Sequence, residues 1–284
     1  MLLMGIALLS LIAAVLAAIQ GPVWMGLVCF AASFLGLLVL AALFLLVACL
    51  IVDQDKPREK DSKFYRQMAK LYIQAIVTIA RVHIHTQGME KLPKDGRFLL
   101  VCNHIDDVDS GILLHCFSNS QLMFIAKRET RDMFVIGPLL YKLNCQLINR
   151  ENDKEALKTI LKCIQIIKAD EGSIVVFPEG YVSIDGKLRH FRSGALKIAQ
   201  KAGVPIVVCT LKGTKTVLSN FLKLKPSHVD MHLVDVISAE DVKATNTVEL
   251  AEIIYEKMIA DMGEEYRSDE KAMHPDLQRE RLGM

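Results

Sequence analysis

The first 52 residues contain no Asp, Glu, Lys, Arg or His, so every charged side chain of the 284-residue chain lies after Val52. Such a stretch offers no polar face to water, and it constrains the chain more than any other feature. Residues 1–19 make a helix of about 28 Å and residues 23–52 one of up to about 45 Å, against about 30 Å of bilayer hydrocarbon. Gln20-Gly21-Pro22 separates the two, with Trp24 beside the break, where an interfacial ring sits. The pattern predicts an N-terminal transmembrane or membrane-embedded helical hairpin over residues 1–52. A cleaved signal peptide over residues 1–18 is the rival reading, but it lacks the basic leader such peptides carry. Lys56, Arg58, Lys60, Lys63, Arg66 and Lys70 follow the second span, and the loop at Gln20–Pro22 has no basic residue. The positive-inside rule therefore places the remainder of the chain on the cytoplasmic side of a cell membrane.

Residues 53–87 read as a charged linker and an amphipathic helix. Phe64, Met68, Leu71, Tyr72, Ala75, Ile76 and Ile79 recur at helical spacing, with Lys63, Arg66, Gln67 and Lys70 on the other side. That helix either lies on the bilayer or packs on the protein. The balance of 34 basic against 32 acidic residues, net +2, excludes nucleic acid as a partner. Seven scattered cysteines without a Cys-x-x-Cys pair fit reduced thiols in a cytosolic compartment. His83-Ile84-His85 has the spacing of a metal pair on a strand, but no carboxylate or cysteine cluster accompanies it, so no metal is expected.

Chemistry concentrates after two apolar runs. Phe98-Leu99-Leu100-Val101-Cys102 reads as a buried strand, and Asn103-His104-Ile105-Asp106-Asp107-Val108-Asp109 follows it. Ser173-Ile174-Val175-Val176 reads likewise, and Phe177-Pro178-Glu179-Gly180 follows. Open α/β sheets carry their sites at the carboxyl ends of strands. A histidine there accepts a proton near neutral pH when a carboxylate fixes its other nitrogen. Asp106, Asp107 and Asp109 are all near enough in sequence to serve His104. Further strands over 122–126, 204–210 and 229–237 alternate with helices over 110–117, 152–168, 194–202 and 247–262. Asn152 or Asp153 caps the second of these helices, and Leu157, Ile160, Leu161, Ile164 and Ile167 form its stripe. The alternation predicts an α/β domain over residues 88–263, a mainly parallel sheet flanked by helices. Residues 264–284 read as a charged, partly disordered tail.

These motifs resemble those of the glycerolipid acyltransferases, a family that includes the 1-acylglycerol-3-phosphate (lysophosphatidic acid) acyltransferases. The family shows Asn-His-x4-Asp first and Phe-Pro-Glu-Gly further on, as at Asn103–Asp109 and Phe177–Gly180. Its intervening basic motif resembles Lys127-Arg128-Glu129 with Gly137 downstream, and its last motif Val204-Pro205-Ile206. The resemblance covers residues 88–214.

It implies that a fatty acyl group moves from a thioester, on acyl carrier protein or coenzyme A, to the sn-2 hydroxyl of lysophosphatidic acid, giving phosphatidic acid. His104 is then the base and Asp109 its orienting partner. The substrate's own hydroxyl stands where a serine nucleophile would, and no Gly-x-Ser-x-Gly elbow is present for an acyl-enzyme. Glu179 and Gly180 belong to the acceptor-binding turn, and Lys127 and Arg128 supply cations. No cofactor beyond the acyl thioester is implied. Where the family commonly continues Thr-Arg, this chain has Tyr181-Val182. A phosphate ligand is thereby lost, and Arg189 and Arg192 are the nearest replacements. The departure keeps a second acceptor in view, another lysophospholipid or an aminolipid. A lipid-binding scaffold that kept the fold without catalysis is the reading from another class.

Overall fold

The computed structural model describes residues 1–56, 60–150 and 152–271, with side chains through Ser268. Arg58 and the end of the charged tail lie outside the described residues. The chain forms two compact units: residues 1–76 with 129–143, and residues 77–128 with the chain from Asn144 onward. Ten α-helices are described. They are α1 (Leu2–Gln20), α2 (Val23–Leu50), α3 (Lys63–Ile79), α4 (Asp109–Cys116), α5 (Ile136–Lys142), α6 (Asp153–Lys168), α7 (Lys197–Ala202), α8 (Val217–Leu222), α9 (Ala239–Ala244) and α10 (Thr247–Met262).

In the first unit, α1 and α2 form the expected hairpin, and both are long and apolar enough to cross a membrane. Their large apolar side chains point outward, with Leu8, Leu16, Leu27 and Leu35 each more than half exposed. The two helices meet through small residues. A Cβ on Gly26 would stand 3.0 Å from the Ala14 carbonyl oxygen. The amphipathic helix α3 packs on protein over this part of its length. Tyr65 Oη donates to the Ala48 carbonyl (2.7 Å) and Tyr72 Oη to that of Ala41 (2.6 Å). Ala48, Tyr65 and Met68 form a small core with Leu139 from α5. Gly137 is required there, because a Cβ would collide with the Arg131 carbonyl oxygen.

The second unit is the α/β domain. Its strands are β1 (Val82–Gln87), β2 (Leu99–Cys102), β3 (Leu122–Lys127), β4 (Gln146–Ile148), β5 (Ser173–Val176), β6 (Leu188–His190), β7 (Ile206–Lys212), β8 (Ser227–Ile237) and β9 (Arg267–Lys271). Seven of them form one sheet in the order β1-β8-β7-β2-β5-β3-β4. All of its pairings are parallel except β7 with β8. The central strands β2 and β5 are buried along their whole length, as strands covered on both faces must be.

One expectation is corrected, in α6, and the charged tail gains a strand, since β9 pairs in parallel with β6 as a separate two-stranded sheet. Tyr255 Oη donates into that pairing, at the carbonyls of Leu188 and Ser268 (both 3.2 Å). In α6, Asn152 is the cap, accepting from the amides of Lys154 and Glu155. Its buried face is Cys163, Ile166 and Ile167, while Leu157 and Leu161 are exposed. The helix has more apolar residues than one face can cover, so the stripe read from spacing was rotated from the true one.

Candidate functional site

Strands β2, β5, β3 and β4 run in parallel side by side, so the segments that leave them emerge along one edge of the sheet. Asn103 fixes the exit from β2. Its side chain donates to the Leu211 carbonyl (2.9 Å) and accepts from the Leu211 amide (2.7 Å), extending the ladder to β7 by side chain. The chain then turns within five residues, with the Asp109 amide donating to the Asp106 carbonyl (3.1 Å). The fully buried Asp109 opens α4 and faces back into this turn.

Of the three carboxylates near His104 in sequence, Asp109 is the one that meets it. Asp109 Oδ2 lies 2.9 Å from His104 Nδ1 and also accepts from the amides of Ile105 (2.7 Å) and Asp106 (2.9 Å). Asp106 instead accepts from the Val108 amide. A carboxylate can only accept, so Nδ1 carries the proton and Nε2 presents its lone pair. The imidazole stacks on Phe177, with ring centroids 4.0 Å apart and planes 13° from parallel. One ring face and one nitrogen are therefore fixed by neighbours.

The loop after β5 is tied to the same place. Glu179 is buried, at 1% exposure, and both of its carboxyl oxygens face backbone amides. Oε1 accepts from His104 N (3.0 Å) and Oε2 from Arg189 N (3.1 Å). The Ser183 amide donates to the His104 carbonyl (2.8 Å), so the short segment between Glu179 and Ser183 is held to His104 at both ends. Burial pushes the Glu179 carboxyl up to about 8, against the pull of those two amides and the Arg189 charge. Glu179, expected in the acceptor-binding turn, thus uses one hydrogen bond of each carboxyl oxygen on backbone and ties that turn to His104.

Arg189, expected as a replacement phosphate ligand, is corrected. Its guanidinium is 4% exposed and grips Asp185 with two hydrogen bonds (2.8 and 2.9 Å). It also donates to Ser183 Oγ (2.9 Å). Burial alone would raise the Asp185 carboxyl, but the Arg189 hydrogen bonds and the Lys187 amide hold it down at about 2. Arg189 thus closes the loop and is not presented to a substrate. Arg128 also points elsewhere, at Glu155 (3.4 Å), with most of its side chain in solvent.

The remaining cations converge on Tyr181. The guanidinium carbons of Arg150 and Arg192 lie 5.1 and 5.3 Å from the centre of its ring, and Lys127 Nζ lies 5.9 Å from it. Such contacts draw on the negative face of the ring. Gly180, at φ 86°, leaves room for this packing, since a Cβ would come within 3.1 Å of Arg192 Nε. Lys127 ends β3, Arg150 follows β4 and Arg192 follows β6, so three separate exits supply the cluster. Arg150 and Tyr181 had no place in the expected site. The signal for Arg150 was its position just beyond the short apolar run Leu147-Ile148. Among the described residues, no group of three or more His, Cys, Asp and Glu side chains is placed to hold a metal ion. His83 and His85 instead stack on His228.

A mainly parallel α/β sheet with a carboxylate-oriented histidine at its carboxyl edge, beside a ring of cations, defines a domain suited to proton abstraction from an alcohol near an anion. Residues 83–212 match the sequence model of the family described as Acyltransferase. A probable 1-acyl-sn-glycerol-3-phosphate acyltransferase of Mycoplasma pneumoniae is 29% identical over 185 residues, covering 63% of this chain and 66% of that protein. The 1-acyl-sn-glycerol-3-phosphate acyltransferase of Chlamydomonas reinhardtii is 30% identical over 194 residues, covering 66% and 55%. The chain thus spans between about half and just under two thirds of these relatives. The crystal structure of the 1-acyl-sn-glycerophosphate (LPA) acyltransferase of Thermotoga maritima shares the fold, with a TM-score of 0.56 at 20% identity over 80% of this chain and 89% of that one. Over residues 83–212 the α/β domain is therefore similar to the acyltransferase family.

Proposed function

We propose that the protein is a membrane-anchored acyltransferase that moves a fatty acyl group from a thioester to the sn-2 hydroxyl of 1-acylglycerol-3-phosphate. The observation that carries this reading is the His104–Asp109 pair at 2.9 Å, in the segment that leaves the carboxyl end of β2. Nε2 of His104 takes the hydroxyl proton as the oxygen attacks the thioester carbonyl. The tetrahedral intermediate collapses, the carbon–sulfur bond breaks, and the thiolate leaves with the proton that His104 held. Asp109 keeps the imidazole in the required tautomer and stabilises its charged form between the two transfers.

The acceptor's phosphate is assigned to Lys127, Arg150 and Arg192 around Tyr181, where guanidinium forks suit a phosphate monoester. The cluster offsets the loss of the arginine replaced by Val182 and favours an anionic acceptor over a zwitterionic or amino lipid. Glu179, Gly180 and Arg189 act in this scheme as positioning residues. The donor is an acyl thioester of acyl carrier protein or coenzyme A, and no metal or other cofactor takes part. The hairpin α1–α2 anchors the chain, with the α/β domain on the cytoplasmic face of the cell membrane.

The test is an assay of the purified full chain in lipid vesicles with labelled acyl thioesters and a panel of lysolipids. Transfer to 1-acylglycerol-3-phosphate, with little acyl release when the acceptor is withheld, is the expected result. Transfer confined to a zwitterionic or amino acceptor would overturn the phosphate assignment. Equal release without any acceptor would identify a thioesterase. A reporter fused after Met284 is expected to report the cytoplasmic side.

A further inference from the structure

The connection between β7 and β8 carries an apolar surface that the site described above does not use. In α8 and the turn after it, Leu218 is 62% exposed, Phe221 41%, Leu222 74% and Leu224 81%. Only Val217 of that helix is buried. Leu224 has a φ of 55°, a backbone region that costs a leucine energy and is unusual for one held in solvent. The turn is nevertheless fixed. Arg81 Nη1 donates to the Leu224 carbonyl (3.1 Å), and the Lys225 amide donates to that of Asn220 (2.8 Å).

Charge accompanies the apolar side chains. Lys215, Lys223 and Lys225 flank them, and the chain has no Asp or Glu between Asp185 and Asp230. The topology sets where this knuckle emerges. β7 runs parallel to β2, with Cys209 opposite Cys102, so the chain leaves β7 at the same end of the sheet where His104 follows β2. Lys215 Nζ donates to the carbonyl of Ile184, in the loop that carries Tyr181 and Ser183.

We propose that the α8 knuckle, residues 217–225, is a second bilayer contact that inserts Leu218, Phe221, Leu222 and Leu224 among the acyl chains and rests its lysines on anionic headgroups. Exposed leucines and a phenylalanine with Lys223 and Lys225 beside them in sequence suit an interface in which apolar tips bury and ammonium groups reach the phosphates. Neighbouring lysines add attraction to acidic lipid. The knuckle sets the sheet edge with His104 against the surface that holds lipid substrates. The inference goes beyond the acceptor reading, since it holds for any lipid the site accepts.

The test uses the full chain in vesicles of phosphatidylcholine and phosphatidylglycerol. Trp24 is the only tryptophan, so Trp24→Phe gives a silent background. In that background Leu222→Trp, at an exposed position that tolerates the ring, should lose at least about half its fluorescence to lipids brominated on their acyl chains. Asp95→Trp, in the exposed loop that enters β2 from the opposite end, should lose almost none. Adding Lys223→Glu and Lys225→Glu to the Leu222→Trp protein should relieve the quenching, and removing phosphatidylglycerol should do so partly. If Leu222→Trp proves as insensitive as Asp95→Trp, the proposal is overturned. It is equally overturned if the Leu222→Trp emission ignores brominated lipid and shifts only on adding an acidic acyl carrier protein, which would make the knuckle a protein dock. Leu218→Trp repeats the measurement should Leu222→Trp fail to fold.

Discussion

The loop leaving β2 and the loop leaving β5 each carry one buried carboxyl group, Asp109 and Glu179, and they use it differently. Asp109 works within its own loop, where one oxygen gathers two amides and the His104 ring. Glu179 works between loops, joining His104 N to Arg189 N across the sheet edge. The first ends on an ionisable ring, the His104 imidazole. The second ends on backbone at both oxygens. Burial and residue type are nearly the same, so what separates the two carboxyl groups is the group at the far end of their hydrogen bonds, an imidazole for Asp109 and backbone alone for Glu179.

The largest effect expected from this contrast is at His104. His104→Ala should lower turnover by about 10²–10⁴-fold, the usual worth of a general base, while the protein stays folded. Asp109→Asn should be similarly damaging, since an amide presents the imidazole with the wrong tautomer. Circular dichroism beside a single-turnover assay separates lost chemistry from lost structure. Near-normal turnover in folded His104→Ala would remove the distinction between the two loops.

Glu179 should fail in the opposite manner. Glu179→Ala leaves two buried amides without an acceptor, at about 1–3 kcal/mol each, so the melting temperature should drop before any kinetic constant of the remaining folded enzyme does. The pH dependence sharpens this further. The carboxyl of Glu179 stands at about 8 in the fold against an ordinary 4.5, so the folded state binds its proton more tightly than the unfolded chain does. Its contribution to stability is therefore fully present below about pH 4.5 and is lost as pH rises through the folded value near 8, at up to about 1.4 kcal/mol per unit. Urea unfolding of wild type and Glu179→Gln between pH 5 and 8 should show the wild type losing ground to the variant. A constant difference would mean that the two amides and Arg189 keep the carboxylate charged in spite of burial.

A milder effect is expected among the cations. Arg150→Ala should raise the KM for 1-acylglycerol-3-phosphate by about 10- to 100-fold, the worth of one charge-assisted hydrogen bond, with little change for the acyl donor. Arg189→Ala should instead destabilise the loop by stripping Asp185 of its partner, and a rise in acceptor KM at unchanged stability would reverse the two assignments.

The sequence displayed well where both loops begin and poorly what surrounds them, for physical reasons. Strands β2 and β5 are buried on both faces and so appear as unbroken apolar runs, which placed His104 and Glu179 at strand ends. β4 has only three residues, too few to show any periodicity, and Arg150 behind it went unnoticed. β9 is a charged strand that pairs with β6 through its backbone, and nothing in Arg267-Ser268-Asp269-Glu270-Lys271 distinguishes it from a solvated tail. Arg189 and Arg192 are three residues apart and chemically alike, yet one is buried against Asp185 and the other lies on Tyr181. Residue types announce which chemistry is possible, but the partner of each polar atom is settled by backbone trajectories that no motif spells out.

The smallest effect is expected at Arg128, and it tests whether a cation's rank in a motif or its placement decides its use. Arg128 neighbours Lys127 in the basic motif, but its side chain is 66% exposed and it pairs at 3.4 Å with Glu155, itself 45% exposed. Exposed pairs of this kind contribute about 0.2–1 kcal/mol at most and weaken with salt. Asn149 Nδ2 also donates to Glu155 Oε2 (3.0 Å), so the carboxylate keeps a partner when the arginine is removed. Arg128→Ala should therefore shift the melting temperature slightly and change the acceptor KM by less than about threefold, a difference below 1 kcal/mol. Lys127→Ala, one residue away but facing Tyr181, should raise that KM several times more. If Arg128→Ala proves as costly as Lys127→Ala at both low and high salt, the acceptor's phosphate extends past the Tyr181 cluster toward the start of α6. The contrast between presented and committed cations would then have to be redrawn with Arg128 on the presented side.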